Sequence, residues 1–557
     1  MKRICLSFAW LLLAMASSAQ SKTVSLDEAG QLASKISADE KYSITDLKIV
    51  GNMNLADFKF LREMCGADEN MNETAGKVKI LDLSEANVHP SNWEYDEFTG
   101  HPIHESGEYE LYFWRTTGKY KPYWDTINYY TPYLKPNTFD AYLFAGCNQL
   151  ETITIPNSLT GFMNRPFEGC ANLKEILIAD NQIFVSLGGI LYTKDKKVIL
   201  DVPKSIAGIV TLPKEYFTWY TGSLFAECQY VTAFEVEDGN ENLCSVNGVL
   251  YSKDMTRLFV CPKTIEGEFV IPNSVTTIMQ YAFEGCKGLL SVVIPEGVKE
   301  IEASAFNFCS SLKNVILPSG LTGDLNAFTG CTSLETVSIP ENVISVGGFR
   351  DCISLRQIEL GCTEKIGYEA FAGCTSLESI VFPASVKEIE SAAFYKSGLK
   401  EVILPERLQT IADGLFYECR NLEKVVIGEH VTAVWHGAFW GCNALKTICV
   451  NASEPPVCSK DESGSRTVFE NVFDGVSNSE CRLYVPTGAL SNYQSAAGWR
   501  SFVNIAEGDP SGINGILTHS NHNPQFYSIA GVAGRTTGVN IIRNNDGSIQ
   551  KVFVKSK

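Results

Sequence analysis

A short phrase, Phe-x-x-Cys-x-x-Leu followed by an apolar strand and usually Pro, recurs along most of this chain. It begins at Phe144, Phe167, Phe225, Phe283, Phe306, Phe328, Phe349, Phe371, Phe394, Phe416 and Phe439, with a degenerate copy at Phe473. Most successive spacings are 21 to 23 residues, while Phe167, Phe225 and Phe283 stand 58 apart. A fixed period of this size marks a solenoid: one unit cannot bury its apolar face alone, and stacking makes the core continuous. The expected fold is a repeat solenoid, mostly β with short turns. In Leu312-Lys-Asn-Val315-Ile-Leu317-Pro318 the alternation points Leu312, Val315 and Leu317 to one face. Pro318 ends the strand because it cannot donate to a ladder. A second short apolar stretch, such as Val275-Thr-Thr-Ile278 or Val298-Lys-Glu-Ile301, leads to an Ala-Phe pair suited to the coil interior.

The long intervals hold matching insertions, at about 180–210 and 240–268. Gly188-Gly-Ile-Leu-Tyr-Thr-Lys-Asp195 answers Asn247-Gly-Val-Leu-Tyr-Ser-Lys-Asp254, and each continues to a Pro-Lys pair. A strand, a polar turn near Lys-Asp and a returning strand predict a β-hairpin added to a coil. Ile271-Pro-Asn-Ser-Val-Thr-Thr-Ile278, then Ala282-Phe-Glu-Gly-Cys286 and Leu289, resembles the BspA-like branch of bacterial leucine-rich repeats. The resemblance recurs in register over roughly residues 140 to 505. It implies a leucine-rich repeat solenoid, export, and adhesion to host or bacterial proteins.

Ends and insertions divide the rest. Residues 1–19 carry a basic start (Lys2, Arg3), an apolar run from Leu6 to Met15 and the small residues Ser17 and Ala19. That is the pattern of a signal peptide cleaved before Gln20, and the run is too short for a permanent span. Residues 20–90 read as a small α/β N-terminal cap. It has a helix over Leu26 to Ile36 capped by Ser25 and Glu28, strands at Ile44 to Val50 and Val78 to Leu83, and a helix from Asp57 to Met64. Residues 91–135 are an aromatic-rich insertion, in which Trp114 and Trp124 are candidate glycan or protein contacts. The solenoid occupies 136–482. Residues 483–507 read as a C-terminal cap, and 508–557 as a β-rich tail that is either a sorting module or a plain cap.

Ten of the eighteen cysteines hold one repeat position, from Cys147 to Cys442. Stacked side chains there run parallel rather than toward each other, and Ser397 replaces one of them, so a ladder of free buried thiols is expected. Cys449 and Cys458, outside that ladder, are the candidate disulfide.

Catalytic signatures are sparse. None of the seven histidines lies between residues 105 and 429, and no phosphate loop, dinucleotide fingerprint or zincin motif occurs. His101 and His104 are separated by Pro102, which disfavours a helical metal pair. No metal and no cofactor is expected. A net charge of −18 argues against nucleic acid. No later stretch reads as transmembrane. The positive signal is the outward column of the strand ladder: Thr154, Leu177, Val293, Ile316, Ser338, Glu359, Val381, Ile403 and Val426. Leu177, Val293, Ile316, Val381, Ile403 and Val426 are apolar where solvent is expected, which suggests either a partner surface or plain β-propensity. The expectation is a non-catalytic protein exported to the surface, periplasm or medium. It would bind a host or bacterial surface protein, or alternatively act as a glycan-binding accessory protein.

Overall fold

The structure, a computed structural model, describes residues 20–89, 136–139, 142–162, 165–458 and 472–508, with the strands Phe526–Ser528, Gly538–Arg543 and Ile549–Val554. The expected signal sequence and the segment with Trp114 and Trp124 lie outside the described residues. The chain forms two compact units, residues 1–206 and 207–557.

In the first unit a parallel sheet runs Ser21–Leu26, Asp46–Met53, Ile80–Val88, Thr152–Thr154 and Glu175–Leu177, in that order. The helix expected over Leu26 to Ile36 is not formed. Its start is the first strand, where Val24 and Leu26 are buried on alternate positions, so the period-2 signal prevails. Within that stretch only Leu32–Lys35 is helical, and the capping box, at Ser37 and Glu40, starts a separate short helix, Ala38–Lys41. A longer helix, Leu55–Met64, starts with Asn54 accepting from the N–H groups of Ala56 and Asp57. Buried Asp57 accepts from the backbone of Asn54, Gly30 and Leu32, which ties the helix start to the preceding loop.

Each regular coil has three hydrogen-bonded faces. The main ladder of the second unit runs Glu266–Val270, Gly288–Val293, Asn314–Ile316, Thr336–Ser338 and Gln357–Glu359. It resumes as Glu401–Ile403, Lys424–Ile427, Thr447–Val450, Arg482–Val485 and Asn504–Glu507. A second ladder of short strands includes Thr277–Ile278 with Glu300–Ile301, and Lys365–Ile366 with Glu388–Ile389. The third face is the Phe-x-x-Cys turn. There the N–H of Phe283, Phe306, Phe328 and Phe371 donates to the carbonyl of Ala305, Ala327, Gly348 and Ala393 in the next coil. The residue before the cysteine is left-handed in these turns, with φ of 69° to 76° at Gly146, Gly169, Gly285, Gly330, Gly373 and Gly441. This explains the repeated Gly-Cys, although Phe308, Asp351, Lys396 and Glu418 also adopt it.

Two columns fill the interior. Phe283, Phe306, Phe328, Phe349, Phe371, Phe394, Phe416, Phe439 and Phe473 stack with ring centroids 4.8 to 5.7 Å apart and nearly parallel planes. Beside them the repeat cysteines are free and buried. Their thiols do more than fill space. Cys309, Cys331, Cys352, Cys374, Cys419 and Cys442 each donate to the repeat Phe carbonyl one coil back, at 2.9 to 3.2 Å. Where Ser397 stands in, its hydroxyl meets the Cys419 sulfur at 3.3 Å.

A stack of this kind begins with carbonyls that have no preceding coil to serve them. In the first unit one side chain meets that need. The buried guanidinium of Arg62 donates to the carbonyls of Tyr142, Leu143 and Ala145 at 2.7 to 3.0 Å, and to Asp68 at 2.8 Å. Leu143 and Ala145 flank Phe144. These are the positions that accept turn N–H groups in later coils, as Ala305 and Asn307 accept from Phe283 and Gly285.

The two insertions are three-stranded meanders rather than hairpins: Phe184–Leu187, Ile190–Thr193 and Ile199–Asp201, and Leu243–Val246, Val249–Ser252 and Arg257–Val260. The extra strand follows from Gly188-Gly189 and Asn247-Gly248. Both residues of each pair have positive φ, as a two-residue hairpin turn requires. A buried Asn anchors each meander. Asn181 donates to the carbonyls of Asn157 and Leu159 and accepts from Ile183 and Phe184. Asn240 repeats this with Pro213, Tyr216, Asn242 and Leu243. In the second meander Arg257–Val260 also pairs in parallel with Thr277–Ile278, so the insertion is welded into the second ladder.

Candidate binding face

Strand alternation places one residue of each coil outward between two inward apolar residues, and the expected column can be followed along it. Leu177 is half-buried in the first unit. In the second unit Val270, Val293 and Ile316 are neighbours in register, with Val270 and Val293 exposed and Ile316 half-buried. Leu290, also exposed, lies on the same strand as Val293. The next coils are polar, and Ser338 Oγ donates to the Glu359 carboxylate at 2.9 Å.

Beyond Glu359 the ladder breaks. Val381 is 82% exposed, but residues 377–382 form no strand, so it is not a ladder residue. The following turn, Phe394 to Leu399, is one residue shorter than the regular phrase, yet Lys400 N–H still donates to the Glu378 carbonyl, as Glu423 does to Lys400 in the next coil. The larger Phe382 also takes the inward place before Pro383 and packs edge-on against Phe394 at 5.9 Å. Ile403 is exposed at the head of the resumed sheet.

Two expectations are corrected here. Val426 is only 2% exposed, because it lies inside the sheet between Ile403 and Cys449, with Tyr484 the next neighbour in register. The bond between Cys449 and Cys458 is not formed. Cys449 lies in the main ladder and Cys458 pairs with Val434 in the second, so the two buried thiols are on different sheets.

Sequence reading missed an aromatic column. The residue after the repeat Phe is aromatic in three consecutive coils: Tyr395, Tyr417 and Trp440. Their centroids are 5.5 and 4.4 Å apart. Lys396 lies over Tyr395 at 4.7 Å, and Trp440 Nε1 donates to Asp474 at 3.2 Å. Comparing that one position across the repeats would have found the column.

Little here is built for bond-making chemistry. Burial pushes the thiols of Cys147 and Cys419 up to about 12 and raises Cys170, Cys309, Cys352, Cys374 and Cys442. Such thiols stay protonated at neutral pH and are poor nucleophiles and ligands. Among the described residues no group of three or more His, Cys, Asp and Glu side chains could hold a metal ion. No helix among them is long and apolar enough to cross a membrane.

Comparison with known proteins agrees with the repeat geometry. The family model described as the BspA-type leucine-rich repeat region matches in six copies, over residues 128–194, 259–363 and 343–455. Solved structures similar to this chain include a leucine-rich repeat protein from Eubacterium ventriosum, 21% identical, with 47% of this chain and 81% of that chain covered and a TM-score of 0.34. Another is a leucine-rich cell surface protein from Faecalibacterium prausnitzii, 18% identical, covering 77% and 82%, with a TM-score of 0.31. A leucine-rich repeat protein from T. pallidum is 30% identical over 35% of this chain and 86% of its own, with a TM-score of 0.26. No curated protein matches.

Proposed function

This chain belongs to the BspA-type leucine-rich repeat family, and we propose that it is an exported, non-catalytic surface protein that binds a protein of a host or bacterial surface. The observation that carries the reading is the apolar patch of Val270, Val293 and Ile316 on the outward face of the main ladder. Monomers rarely leave neighbouring Val and Ile side chains facing water on a rigid sheet, and flat repeat faces suit large partners. Ile403 on the resumed sheet extends the same chemistry. Export is supported by the basic, apolar and small-residue pattern of residues 1–19.

The test is an array of host matrix proteins and bacterial surface proteins probed with the full chain, with a Val293→Glu plus Ile316→Glu variant and with Ile403→Glu. Binding that falls at least tenfold in the double variant supports the reading. Unchanged binding by both variants removes the ladder from consideration. Export is checked separately, by N-terminal sequencing of the mature protein, which should begin at Gln20.

A further inference from the structure

We infer that a cleft on the second ladder, away from the apolar patch, binds a neutral, hydroxyl-rich ligand: a short saccharide. The cleft has a volume of about 320 Å³, within the range of small-ligand sites. Two rings form its rim. Trp219 is 49% exposed and Tyr220 72%, and both precede the short helix Thr221–Phe225. Their loop is fixed from beneath. Buried Tyr216 shares a hydrogen bond with Thr221 at 3.2 Å, and Trp219 packs edge-on against Phe217 at 4.9 Å and tilted against Phe259 at 6.1 Å. Rings held in this way can cover an apolar ligand face with little loss of side-chain freedom.

The floor supplies polar groups of both kinds. Arg257, Thr277 and Glu300 follow one another in register on three adjacent strands. The Arg257 guanidinium lies over Trp219 at 4.6 Å, which holds its N–H fork in place. Glu302 accepts from the Gln280 backbone N–H at 2.8 Å, which fixes that carboxylate beside the Gln280 side chain.

Elsewhere neighbouring coils are stitched by pairs such as Arg356–Glu335, Lys387–Glu364 and Lys446–Glu423. Among the described residues, Arg257, Glu300 and Glu302 form no ion pair, although all three line one cleft. A fork of donors, two acceptor carboxylates, an amide that offers both, and the exposed Tyr220 ring beside Trp219 together match a sugar, which has hydroxyls at its edge and C–H groups on its face. An anion would meet two carboxylates against one guanidinium. A purely apolar ligand would strip water from three charges without replacing their hydrogen bonds.

The full chain is applied to immobilised di- and trisaccharides of neutral hexoses and N-acetylhexosamines, with uronic- and sialic-acid counterparts alongside. Binding of at least one neutral saccharide is expected, weakened tenfold or more by Trp219→Ala, Tyr220→Ser and Glu302→Gln and unchanged by Ile403→Glu. Tyr220 is exposed enough that its replacement should not disturb folding, which circular dichroism would check. Absence of binding to every neutral saccharide overturns the inference, as does binding unaffected by Tyr220→Ser and Trp219→Ala. Binding confined to acidic saccharides and lost in Arg257→Met overturns it too. Protein binding by the ladder can succeed or fail independently of each result.

Discussion

Replacing Phe328 by Ala tests the interior column. Its ring is fully buried between Phe306, 5.3 Å away, and Phe349, 5.5 Å away. Truncating a buried Phe to Ala costs about 3–5 kcal/mol, and each lost ring contact adds about 0.5–1.5 kcal/mol where neighbours cannot close the gap. Closure is hard here, because the turn ladder holds the flanking coils at a fixed step: Phe306 N–H donates to Ala327 and Phe328 N–H to Gly348. A loss of about 4–8 kcal/mol is therefore expected. That is a large part of the roughly 5–15 kcal/mol typical of a folded domain. In a solenoid the damage falls on two adjoining interfaces, so the urea transition should move to lower denaturant and also lose cooperativity, with a smaller m-value. Phe328→Leu keeps most of the apolar volume and should cost about 1–2 kcal/mol. Urea unfolding under reducing conditions, followed by far-ultraviolet circular dichroism, measures both. A loss below about 2 kcal/mol for Phe328→Ala would show that the coils relax around the gap, and would refute the rigid-step argument.

Further outcomes concern Arg62, Asp201 and the thiols. Arg62→Met should destabilise the first unit by about 3 kcal/mol or more, since it removes the guanidinium that serves the buried carbonyls of Leu143 and Ala145; an unchanged melting temperature would contradict this. Burial pushes the Asp201 carboxyl up to about 6, and its Oδ2 has no hydrogen-bond partner. The folded chain therefore holds this proton where the unfolded chain has released it, so the group's contribution falls as pH rises from about 4 to about 6 and stays unfavourable above that. Asp201→Asn should raise stability by about 2 kcal/mol at pH 7.5, allowing for partial exposure, with the gain vanishing near pH 4; a gain independent of pH would refute it. Native labelling with a maleimide at pH 7.5 should modify Cys362, the exposed thiol, and leave the repeat cysteines untouched until urea is added. Prompt labelling of Cys352 or Cys374 in the native chain would show that the interior column opens.

The coil could be read from the sequence because its cause is local. Phe, Cys and Leu recur at fixed offsets, and alternation sets which side chains turn inward, as with Leu312, Val315 and Leu317. Relations between coils were harder. The break at Val381 is not legible in residues 377–382, whose alternation matches that of the coils that do form strands. Val426 matched its column in pattern, yet its burial depends on Cys449 and Tyr484, far along the chain. Asn181 and Asn240 look like ordinary loop residues until the carbonyls they serve are known. The Asn247-Gly248 turn, by contrast, carries its hairpin chemistry openly in the sequence. Over Leu26 to Ile36 the apolar spacing fitted two periods, and pairing with Asp46–Met53 chose strand over helix at its start. Of the candidate face, Val293, Ile316 and Ile403 were legible as outward positions. The Trp219–Tyr220 rim was not, because its partners Arg257 and Glu302 lie outside its own coil.

The guanidinium of Arg62 bears on how proteins of this form change length. Each coil is joined to the next by the same bonds, so the interior sets no number of coils. Arg62 acts on one turn alone and is indifferent to the coils beyond it. Duplicating or deleting a coil between Phe283 and Phe439 would leave that contact as it stands. Repeat number can therefore drift during evolution while the starting end stays closed, and a reach suited to a new partner can be gained without redesigning the terminus.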